Sequence, residues 1–506
     1  MRASLTGGYA ARGVAYTAHP MGNGGFNNPL EPASACADPA LLRAFATDAS
    51  GASGQVPAQL LYPRSREDVQ AIVREAIRTR TPLVPVSSGP PHFHGDTVPV
   101  RGGVVVDFSR MNRVLRIDRP SRSVRVEPGV TYGALIPQLR AQGLRLSLPL
   151  LPRANKSVVA SRLEREPVTT PKYQYDELDP LLTLEVVYGT GEDFRTGSAC
   201  GPGTLETLKA DLVNPWGPGS IDYFRLLSAA QGTMGLVSWA VTKLEILPTR
   251  QQLLFLHADD PARLLQPIDV LLRRRVPDEC VVLNRAALAM LLAADDLRDY
   301  AALRAALPAW SALLVVAGYE RRAEERVALY ADQLRTLAGA TGLAASESLP
   351  GAVGREGELL ELLSGAWTKG PDWRLRLTGS SRELLFTAPL SRMPALQQRL
   401  RELAAQQGID LADAACHLQP AVQGRSCHCE WVFPRSPDDA AAGARLDAFL
   451  REAARQLARA GAYFSRPYGE WARIAYDDYP GGVELLRRLK GVFDPHGLFN
   501  PGRLCF

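Results

Sequence analysis

Leu83-Val-Pro-Val-Ser-Ser-Gly-Pro-Pro-His-Phe-His-Gly-Asp96 is the stretch that decides the fold of this chain, and the strand pattern Gly102–Phe108 follows it closely. An apolar strand runs here into a loop of small residues and prolines, whose rings restrict the backbone. Consecutive N–H groups that no bulky side chain covers form a concave site for phosphate oxygens. The candidate cofactor-binding residues of this loop are Ser87, Ser88, Gly89, Pro90, Pro91 and His92.

The composition is that of an ordinary globular protein. The chain has 506 residues, more than one hydrophobic core usually supports, so we expect two or more domains. The net charge of +5 is spread along the chain without a basic block, and nucleic-acid binding is therefore not expected. The seven cysteines lack paired CxxC spacing, which argues against a zinc ribbon, a disulfide framework and an iron–sulfur centre.

Signals for export and for membrane insertion are also missing from the sequence. The first eight residues, Met-Arg-Ala-Ser-Leu-Thr-Gly-Gly, contain no apolar signal core. No run of about 18 apolar residues occurs along the chain. We therefore expect a soluble, cytoplasmic protein without a transmembrane segment.

Helix and strand patterns alternate from about residue 40 to Pro248. Residues 1–39 are rich in Gly, Ala, Pro and Asn without periodicity, and we interpret them as an extended arm. The apolar positions of residues 64–77 fall on one helical face, and the strand Leu83–Val86 follows. Short β-branched runs then predict adjacent strands, and a helix is predicted over Asp222–Ala229. This alternation indicates an α+β region.

A second region begins near Thr249, where strand patterns are interleaved with helical ones. This interleaving is typical of a ferredoxin-like or related antiparallel sheet with covering helices. The predicted strands are Leu253–His257, Glu279–Leu283, Leu313–Tyr319 and Leu384–Thr387, and the predicted helices include Arg321–Leu337, Met393–Gln407 and Ala444–Ala460.

Three further loops of small residues can be set beside the first one. They are Pro128–Tyr132, Asn155–Ala160 and Ala230–Val237, and the last contains glycines that let the backbone approach a ligand closely. No GxGxxG follows a first strand and no GxxxxGK[ST] occurs, so neither a Rossmann nor a P-loop site is indicated. The candidate cofactor-binding residues of these loops are Pro128, Gly129, Ser157, Val158, Gly232, Thr233, Gly235 and Val237.

Taken in this order, the loops resemble those of the vanillyl-alcohol oxidase / p-cresol methylhydroxylase family of FAD flavoproteins. The resemblance runs from about Ala46 to Pro248 and resumes in the tail at Phe493–Gly502. It implies an α+β fold with a PCMH-type FAD-binding domain of two α+β subdomains, residues 40–248 with a return at 471–506. It also implies an inserted cap, an antiparallel sheet covered by helices, at residues 249–470. On this resemblance Thr170 and Asn500 join the candidate cofactor-binding residues.

The first loop departs from the family in one respect. Several members attach FAD covalently through a His that follows two glycines, and alignment puts Pro91 at that position in this chain. His92 and His94 lie close by, which leaves the covalent alternative open. We expect bound, dissociable FAD.

The resemblance leaves two branches open for the substrate. The stretch Ser157–Lys172 looks like the corresponding part of phenol-oxidising members, in which a quinone methide forms. Stabilising a phenolate would fall to tyrosines, and Tyr173, Tyr175 and Tyr468 are available. Chain length and the context of Gln231–Gly235 suit equally the branch that oxidises 2-hydroxy acids such as lactate and glycolate, which often carries His and Glu metal ligands in its cap.

The densest set of polar groups outside the cofactor loops is Cys416–Pro420 with Ser426–Phe433. If the second segment is a strand, His428 and Glu430 share one face, and a paired strand could bring His417 or Gln419 alongside. Such a group could bind a divalent metal that polarises a substrate hydroxyl, or His428 could act as general base. The alternative is a hydrogen-bonded histidine within the core.

Ser465–Trp471 lies where the implied cap returns to the FAD-binding domain. Arg466 could bind a carboxylate in a bidentate manner or place its charge near reduced flavin. Tyr468 could donate a hydrogen bond to a substrate oxygen, and the alternative for both residues is a turn with aromatic packing. The candidate catalytic residues are His417, His428, Glu430, Arg466 and Tyr468, and the candidate metal ligands are His417, His428 and Glu430.

The sequence therefore predicts an FAD-dependent oxidoreductase that oxidises a hydroxyl-bearing carbon of a small molecule, with a 2-hydroxy acid as the preferred class. Oxidation of a 4-alkylphenol or aromatic alcohol is one alternative. A flavin subunit that only relays electrons in a larger redox complex is another. The electron acceptor is left open among oxygen, a quinone, a cytochrome and an iron–sulfur protein, and we expect a homo- or hetero-oligomer.

Overall fold

The computed structural model describes residues 25–173, 179–201, 203–209, 217, 222–294 and 297–506. The first half of the chain, up to Ile246, is built on mixed and antiparallel sheets, and an antiparallel sheet follows from Arg250. Within the described ranges, no helix combines the length and the apolar character that crossing a bilayer requires.

Short strands and helices alternate along the first half of the chain. The strands are β1 (Ala35–Cys36), β2 (Gln59–Leu61), β3 (Leu83–Val86), β4 (Val104–Asp107), β5 (Val114–Asp118), β6 (Ser123–Val126), β7 (Leu144–Arg145), β8 (Leu181–Val187), β9 (Asp193–Arg195), β10 (Leu236–Lys243) and β11 (Glu245–Ile246). The helices are Pro39–Ala44, Arg66–Thr79, Tyr132–Arg140, Val158–Leu163 and Leu205–Leu208.

The first sheet joins its strands in the order β1-β2-β4-β3, with β4 parallel to both β2 and β3. The helix Arg66–Thr79 covers it and begins at Ser65, whose hydroxyl accepts the N–H of Asp68. Fully burying an aliphatic side chain contributes about 1.5–3 kcal/mol, so the apolar face of this helix holds it on the sheet. That face, as predicted, consists of Val69, Ile72, Val73 and Ala76.

The second sheet has the order β5-β6-β10-β8-β9 and is antiparallel throughout. Two of the predicted loops end at helices that pack on this sheet. Thr131 begins the helix Tyr132–Arg140, and Ser157 begins the helix Val158–Leu163, each by accepting a backbone N–H on its hydroxyl. The loop before β10 is the predicted Ala230–Val237 loop, so three loop candidates surround this sheet.

The helix predicted over Asp222–Ala229 is wrong. Only a short 3-10 turn, Phe224–Leu226, forms there. The carboxylate of Asp222 accepts the N–H of Phe224 at 3.1 Å, which closes a local turn in place of a helical one. Ala229 then has a φ of 57°, in the left-handed region that an α-helix cannot use.

The predicted arm of residues 1–39 also needs correction in its described part, residues 25–39. Ala35 and Cys36 pair with Leu61 and Leu60 and therefore belong to the first sheet. The remainder of the predicted arm, residues 1–24, lies outside the described residues. The first sheet thus begins before residue 40.

The second half folds around an antiparallel sheet that confirms the predicted architecture. Its strands are β12 (Arg250–Ala258), β13 (Glu279–Asn284), β14 (Trp310–Gly318), β15 (Ser381–Ala388), β16 (Ala415–Ala421) and β17 (Ser426–Pro434), in the order β12-β14-β13-β16-β17-β15. Its helices are Pro261–Arg273, Arg285–Leu292, Leu297–Ala306, Ala323–Gly339, Glu356–Ser364, Met393–Gln406 and Ala440–Arg459.

The two faces of this cap sheet pack against different partners. One face carries Cys427, Cys429 and Trp431 and is buried by helices that include Met393–Gln406 and Ala440–Arg459. The opposite face packs with Leu150 and Leu151 of the first half. Side chains alternate along a strand, so His428 and Glu430, which alternate with these three residues on β17, point toward the first half.

The C-terminal segment returns to the first sheet through the helices Trp471–Tyr476 and Pro480–Phe493. Leu83 donates its N–H to Leu498, and Asn500 donates its N–H to Leu83, so the tail lies beside β3. Lys490 and Asp494 form a buried ion pair of 2.5 Å at the base of this tail. The tail is therefore held immediately below the loop that begins at Ser87.

Candidate flavin and substrate site

Two adjoining cavities lie among the loops of the first half, and one of them reaches the cap sheet. The first, which we call the cap cavity, reaches from the Ser87 loop to Glu430 and Arg466. The second, which we call the loop cavity, lies among the Pro128 loop, the Gly232 loop and the helix Val158–Leu163. Both are lined by Pro85, Val86, Ser87, Asp96, Ala160 and Glu164, so they form one continuous cleft.

Seven of the predicted cofactor-binding residues line this cleft. Ser87 lines both cavities, Ser88 and His92 line the cap cavity, and Pro128, Gly232, Gly235 and Val237 line the loop cavity. Their loops come from distant parts of the sequence, as the prediction required.

Two of the other predicted cofactor-binding residues, Gly89 and Ser157, make contacts between the loops. Gly89 donates its N–H to Asn155 at 2.9 Å, so this group is already engaged within the protein. Ser157 donates its hydroxyl to the carbonyl of Pro128 at 2.5 Å and accepts the N–H of Ala160. Neither cavity lining includes Gly89, Pro90, Pro91, Gly129, Ser157, Val158, Thr170, Thr233 or Asn500.

Asn500 joins two of the loops directly. Its side-chain amide donates to the carbonyls of Asp96 and Gln231, each at 2.7 Å. The side chain is fully buried, and its Oδ1 has no hydrogen-bond partner among the described residues. Since a buried carbonyl oxygen is normally paired, this oxygen is an unsatisfied acceptor at the contact between the two loops.

These features fit FAD. The two cavities share a wall, and loops from distant parts of the sequence contribute small residues to their lining, among them Ser87, Ser88, Gly232 and Gly235, which suits an extended dinucleotide. Gly232 has a φ of 70°, and a Cβ there would collide with the ring of Pro85, a residue that lines both cavities. The missing Cβ therefore lets the Gly232 loop pack directly against β3 at the wall of both cavities, and the cleft beside it remains open for a bound cofactor.

The predicted strand Cys427–Phe433 is confirmed as part of β17, and it pairs with β16 so that His417 lies opposite Glu430. His428 Nε2 lies 3.3 Å from Glu430 Oε2, and His417 Nε2 lies 3.8 Å from the same oxygen. The two imidazole centroids are 5.8 Å apart. Of the two alternatives on the paired strand, the structure places His417 opposite Glu430 and Gln419 opposite His428, and His417 lies beside the two residues predicted to share one face. His417, His428 and Glu430 are at least 96% buried, with 2%, 2% and 4% exposed.

Burial determines the charge of this cluster. It lowers the pKa of His417 to about 3 and lowers that of His428, so both imidazoles are neutral at pH 7. For Glu430 burial alone would raise the pKa, but contacts with His417, Arg374 and His428 hold it well below its usual range. The cluster is a carboxylate flanked by neutral histidines, and only the carboxylate lines the cap cavity.

Two guanidinium groups hold opposite oxygens of Glu430. Arg374 Nη2 lies 3.3 Å from Oε1, and Arg466 Nη2 lies 3.7 Å from Oε2. Arg374 also contacts Glu383, with Nε 3.1 Å from Oε1. Arg466 was expected near the substrate and does line the cap cavity, whereas Arg374 was missed.

A second charged group lies at the junction of the two cavities. Lys156 Nζ is 2.6 Å from Glu164 and 3.4 Å from Glu166. Burial raises the pKa of Glu164, whereas Lys156 and Arg466 outweigh burial at Glu166 and lower its pKa. Glu164 lines both cavities, and a carboxyl with a raised pKa can hold or release a proton there.

The sequence contained a signal for one of these missed groups. Glu164 and Glu166 flank Arg165 just before Pro167, within the stretch Ser157–Lys172 that looks like phenol-oxidising members. No comparable signal marks Arg374 and Glu383, because only the pairing of β15 with β17 brings Glu383 beside the cluster.

Tyr468 lies at the return from the cap and lines the loop cavity. Its ring stacks on His94 with a centroid distance of 4.1 Å and an interplanar angle of 7°. Of the other tyrosines considered for a phenolate, Tyr173 lies beside Glu245 and Lys172, outside the lining of either cavity. Tyr175 is outside the described residues.

A divalent metal fits the cap cluster. One ligand atom each from His417, His428 and Glu430 can be chosen so that all lie within 4.8 Å of one another. His417 Nδ1 is buried without a hydrogen-bond partner among the described residues. One carboxylate and two imidazoles are ligands that Zn²⁺ and similar divalent ions accept.

Comparison with known proteins identifies two family regions in this chain. Residues 57–196 match the FAD binding domain family, and residues 309–504 match the family of FAD linked oxidases, C-terminal domain. The chain is 24% identical over 471 residues to the glycolate oxidase subunit GlcD of Bacillus subtilis, covering 91% of each chain. It is 23% identical over 489 residues to D-2-hydroxyglutarate dehydrogenase of Stutzerimonas stutzeri, covering 94% of this chain and 97% of the relative.

A solved structure shares the fold. The crystal structure of p-cresol methylhydroxylase with substrate bound superposes with a TM-score of 0.80 at 18% identity, covering 95% of each chain. The FAD-binding loops, the cap and the returning tail thus occur in one known architecture. This chain belongs to the vanillyl-alcohol oxidase / p-cresol methylhydroxylase family of FAD-linked oxidoreductases.

Proposed function

We propose that this protein oxidises a 2-hydroxy acid to the 2-oxo acid and that dissociable FAD accepts the hydride. One observation carries this proposal: Glu430, with His417 and His428 behind it, lines the same cavity as the Ser87 loop and Arg466. The substrate class is supported by two relatives named as a glycolate oxidase subunit and a D-2-hydroxyglutarate dehydrogenase.

The proposed chemistry separates a hydride from a proton. When bound, FAD would supply the acceptor for the hydride that leaves the substrate carbon. The hydroxyl proton passes to the pair of Glu430 and His428, whose closest atoms are 3.3 Å apart, and the carbon–oxygen double bond forms as the proton leaves. Because burial keeps His428 neutral, the pair can accept this proton at pH 7.

The proposed substrate carboxylate lies against Arg466. This guanidinium is 4% exposed, lines the cap cavity and lies 3.7 Å from Glu430, so the carboxylate and hydroxyl of one small acid could reach both residues. In the alternative use of the same cluster, His417, His428 and Glu430 would hold a divalent ion in place of the general base, and this ion would polarise the hydroxyl and lower its pKa.

Product analysis with a substrate panel tests the proposal. The FAD-loaded protein is incubated with D-lactate, glycolate, D-2-hydroxyglutarate or a 4-alkylphenol together with an artificial dye as acceptor. We expect a 2-oxo acid, or glyoxylate from glycolate, in equal amount to the dye reduced. Oxidation of the phenol alone would replace the proposal by the quinone-methide route. Reaction with none of them, in a protein whose flavin dithionite reduces, would favour an electron-relaying subunit.

A further inference from the structure

His94 lies where three distant segments meet. It belongs to the loop that begins at Ser87, and its Nε2 lies 3.1 Å from Oε2 of Glu383, a residue 289 positions further along the chain on β15. One face of its ring is covered by Tyr468, which belongs to the segment returning from the cap. His94 is thus held by an ionic contact on one side and by a stacking contact on another.

The partner of His94 is itself fixed. The other oxygen of Glu383, Oε1, is 3.1 Å from Arg374 Nε, and Arg374 in turn lies 3.3 Å from Glu430. The side chains of Glu383 and Arg374 are 8% and 18% exposed. A continuous line of contacts therefore runs from the cofactor loop, through His94, Glu383 and Arg374, to the cap carboxylate.

We propose that His94 is a positioning residue that fastens the cofactor loop to the cap through Glu383 and thereby strengthens FAD binding. Its contacts are with protein groups on the cap side, and it lines the cap cavity beside Ser87 and Ser88. The loop and the cap strand that carries Glu383 are far apart in the sequence. Fixing a loop in its ligand-binding conformation raises affinity because less ordering remains to be done on binding.

The charges around His94 support this role. Burial opposes the imidazolium, but the hydrogen bond and the charge of Glu383 outweigh it, so the pKa of His94 is raised. Glu164 adds to this effect and Arg466 opposes it, while Tyr468, Glu166 and Asp48 complete the ionisable surroundings. A raised pKa means that the ion pair is complete below the ordinary histidine pKa and is lost as the pH rises through the raised value.

A double-mutant cycle on FAD affinity tests the proposal. The FAD dissociation constant of the apoprotein is measured by flavin fluorescence across neutral and alkaline pH for the wild type, His94→Phe, Glu383→Gln and the double variant. His94→Phe keeps a ring to stack on Tyr468 and removes the hydrogen bond to Glu383 together with the charge of the imidazolium. We expect each single change to weaken FAD binding by about tenfold and the double variant to bind FAD no more weakly than either single variant. In the wild type, FAD affinity should fall at alkaline pH as the ion pair is lost, and this fall should be absent from the variants.

Two further variants separate positioning from a general structural loss. His94→Gln can still donate to Glu383, so we expect it to recover part of the affinity. His92→Phe changes a histidine of the same loop that makes no ion pair with Glu383, so its effect should add to that of Glu383→Gln. If His94→Phe does not fold, the FAD affinity of Glu383→Gln and the pH dependence of FAD affinity in the wild type still test the proposal. Additive effects of His94→Phe and Glu383→Gln, or a pH profile unchanged by either, would overturn the proposal.

Discussion

Glu430 and His417 lie directly opposite each other on paired strands, with Oε2 and Nε2 3.8 Å apart. This register decides the character of the site. His428, two residues before Glu430, then points to the same face, and one carboxylate oxygen faces both imidazoles. A shift of the pairing by one residue would have turned the histidines into the helix-covered face.

Replacing His428 by Asn should lower turnover by about 100-fold while FAD remains bound, because the pair that accepts the hydroxyl proton is disrupted. Turnover is measured with D-lactate or glycolate, and the flavin absorbance of the same sample gives its FAD content. His257→Asn is a matched control, since His257 lies on the same sheet and bonds to Ser311 at 3.0 Å. Turnover within about twofold of wild type in His428→Asn would remove this residue from the mechanism.

Replacing Arg466 by Gln should raise the KM for a hydroxy acid by at least about tenfold, because the carboxylate loses a buried, charge-assisted partner. Arg473→Gln, at a guanidinium whose side chain is 73% exposed, should leave the KM unchanged. Steady-state kinetics with the dye acceptor give both values. A lower kcat at unchanged KM would assign Arg466 to the flavin or to Glu430 instead of the substrate.

Lys490→Met should destabilise the fold by about 3–5 kcal/mol, because the buried carboxylate of Asp494 loses its cation and, among the described residues, keeps only the N–H groups of Leu498 and Phe499 as donors. Lys490 also donates to the carbonyls of Thr233, at 2.6 Å, and Phe499, at 3.2 Å, so the Gly232 loop and the tail should loosen together. Urea unfolding measures the change. Arg488→Met removes an exposed pair on the same helix and should cost under about 1 kcal/mol. Equal losses in both variants would be inconsistent with a buried pair.

Stability should fall in mild acid partly through His92. Burial lowers the pKa of this histidine to about 4, with Arg153 and Lys156 acting in the same direction. The unfolded chain takes up its proton near pH 6.5 and the folded chain only near 4, so stability is lost as the pH falls through this interval. Between pH 7 and pH 4 the free energy of unfolding, measured with urea, should fall more steeply with decreasing pH in the wild type than in His92→Gln. The two slopes should differ by at most about 1.4 kcal/mol per pH unit. Parallel profiles would exclude His92 as the cause.

The sequence allowed prediction of features that depend on local periodicity or on a family pattern. The shared face of His428 and Glu430 follows from the two-residue period of a strand, and the buried face of Arg66–Thr79 follows from the helical period. Arg374 and Glu430 are 56 positions apart, and no local pattern states that β15 pairs with β17. The helix predicted over Asp222–Ala229 shows that a local pattern can also mislead, because turn contacts form there in place of a helix.

The most direct test of the central claim is the flavin absorption spectrum of the FAD-loaded protein during anaerobic titration with D-lactate, glycolate and D-2-hydroxyglutarate. We expect the band near ~450 nm to bleach with at least one hydroxy acid, since hydride transfer reduces the flavin. The same titration of His428→Asn should bleach far more slowly at equal FAD content. Full retention of the oxidised band with every hydroxy acid, in a protein that dithionite reduces completely, would contradict the proposed function.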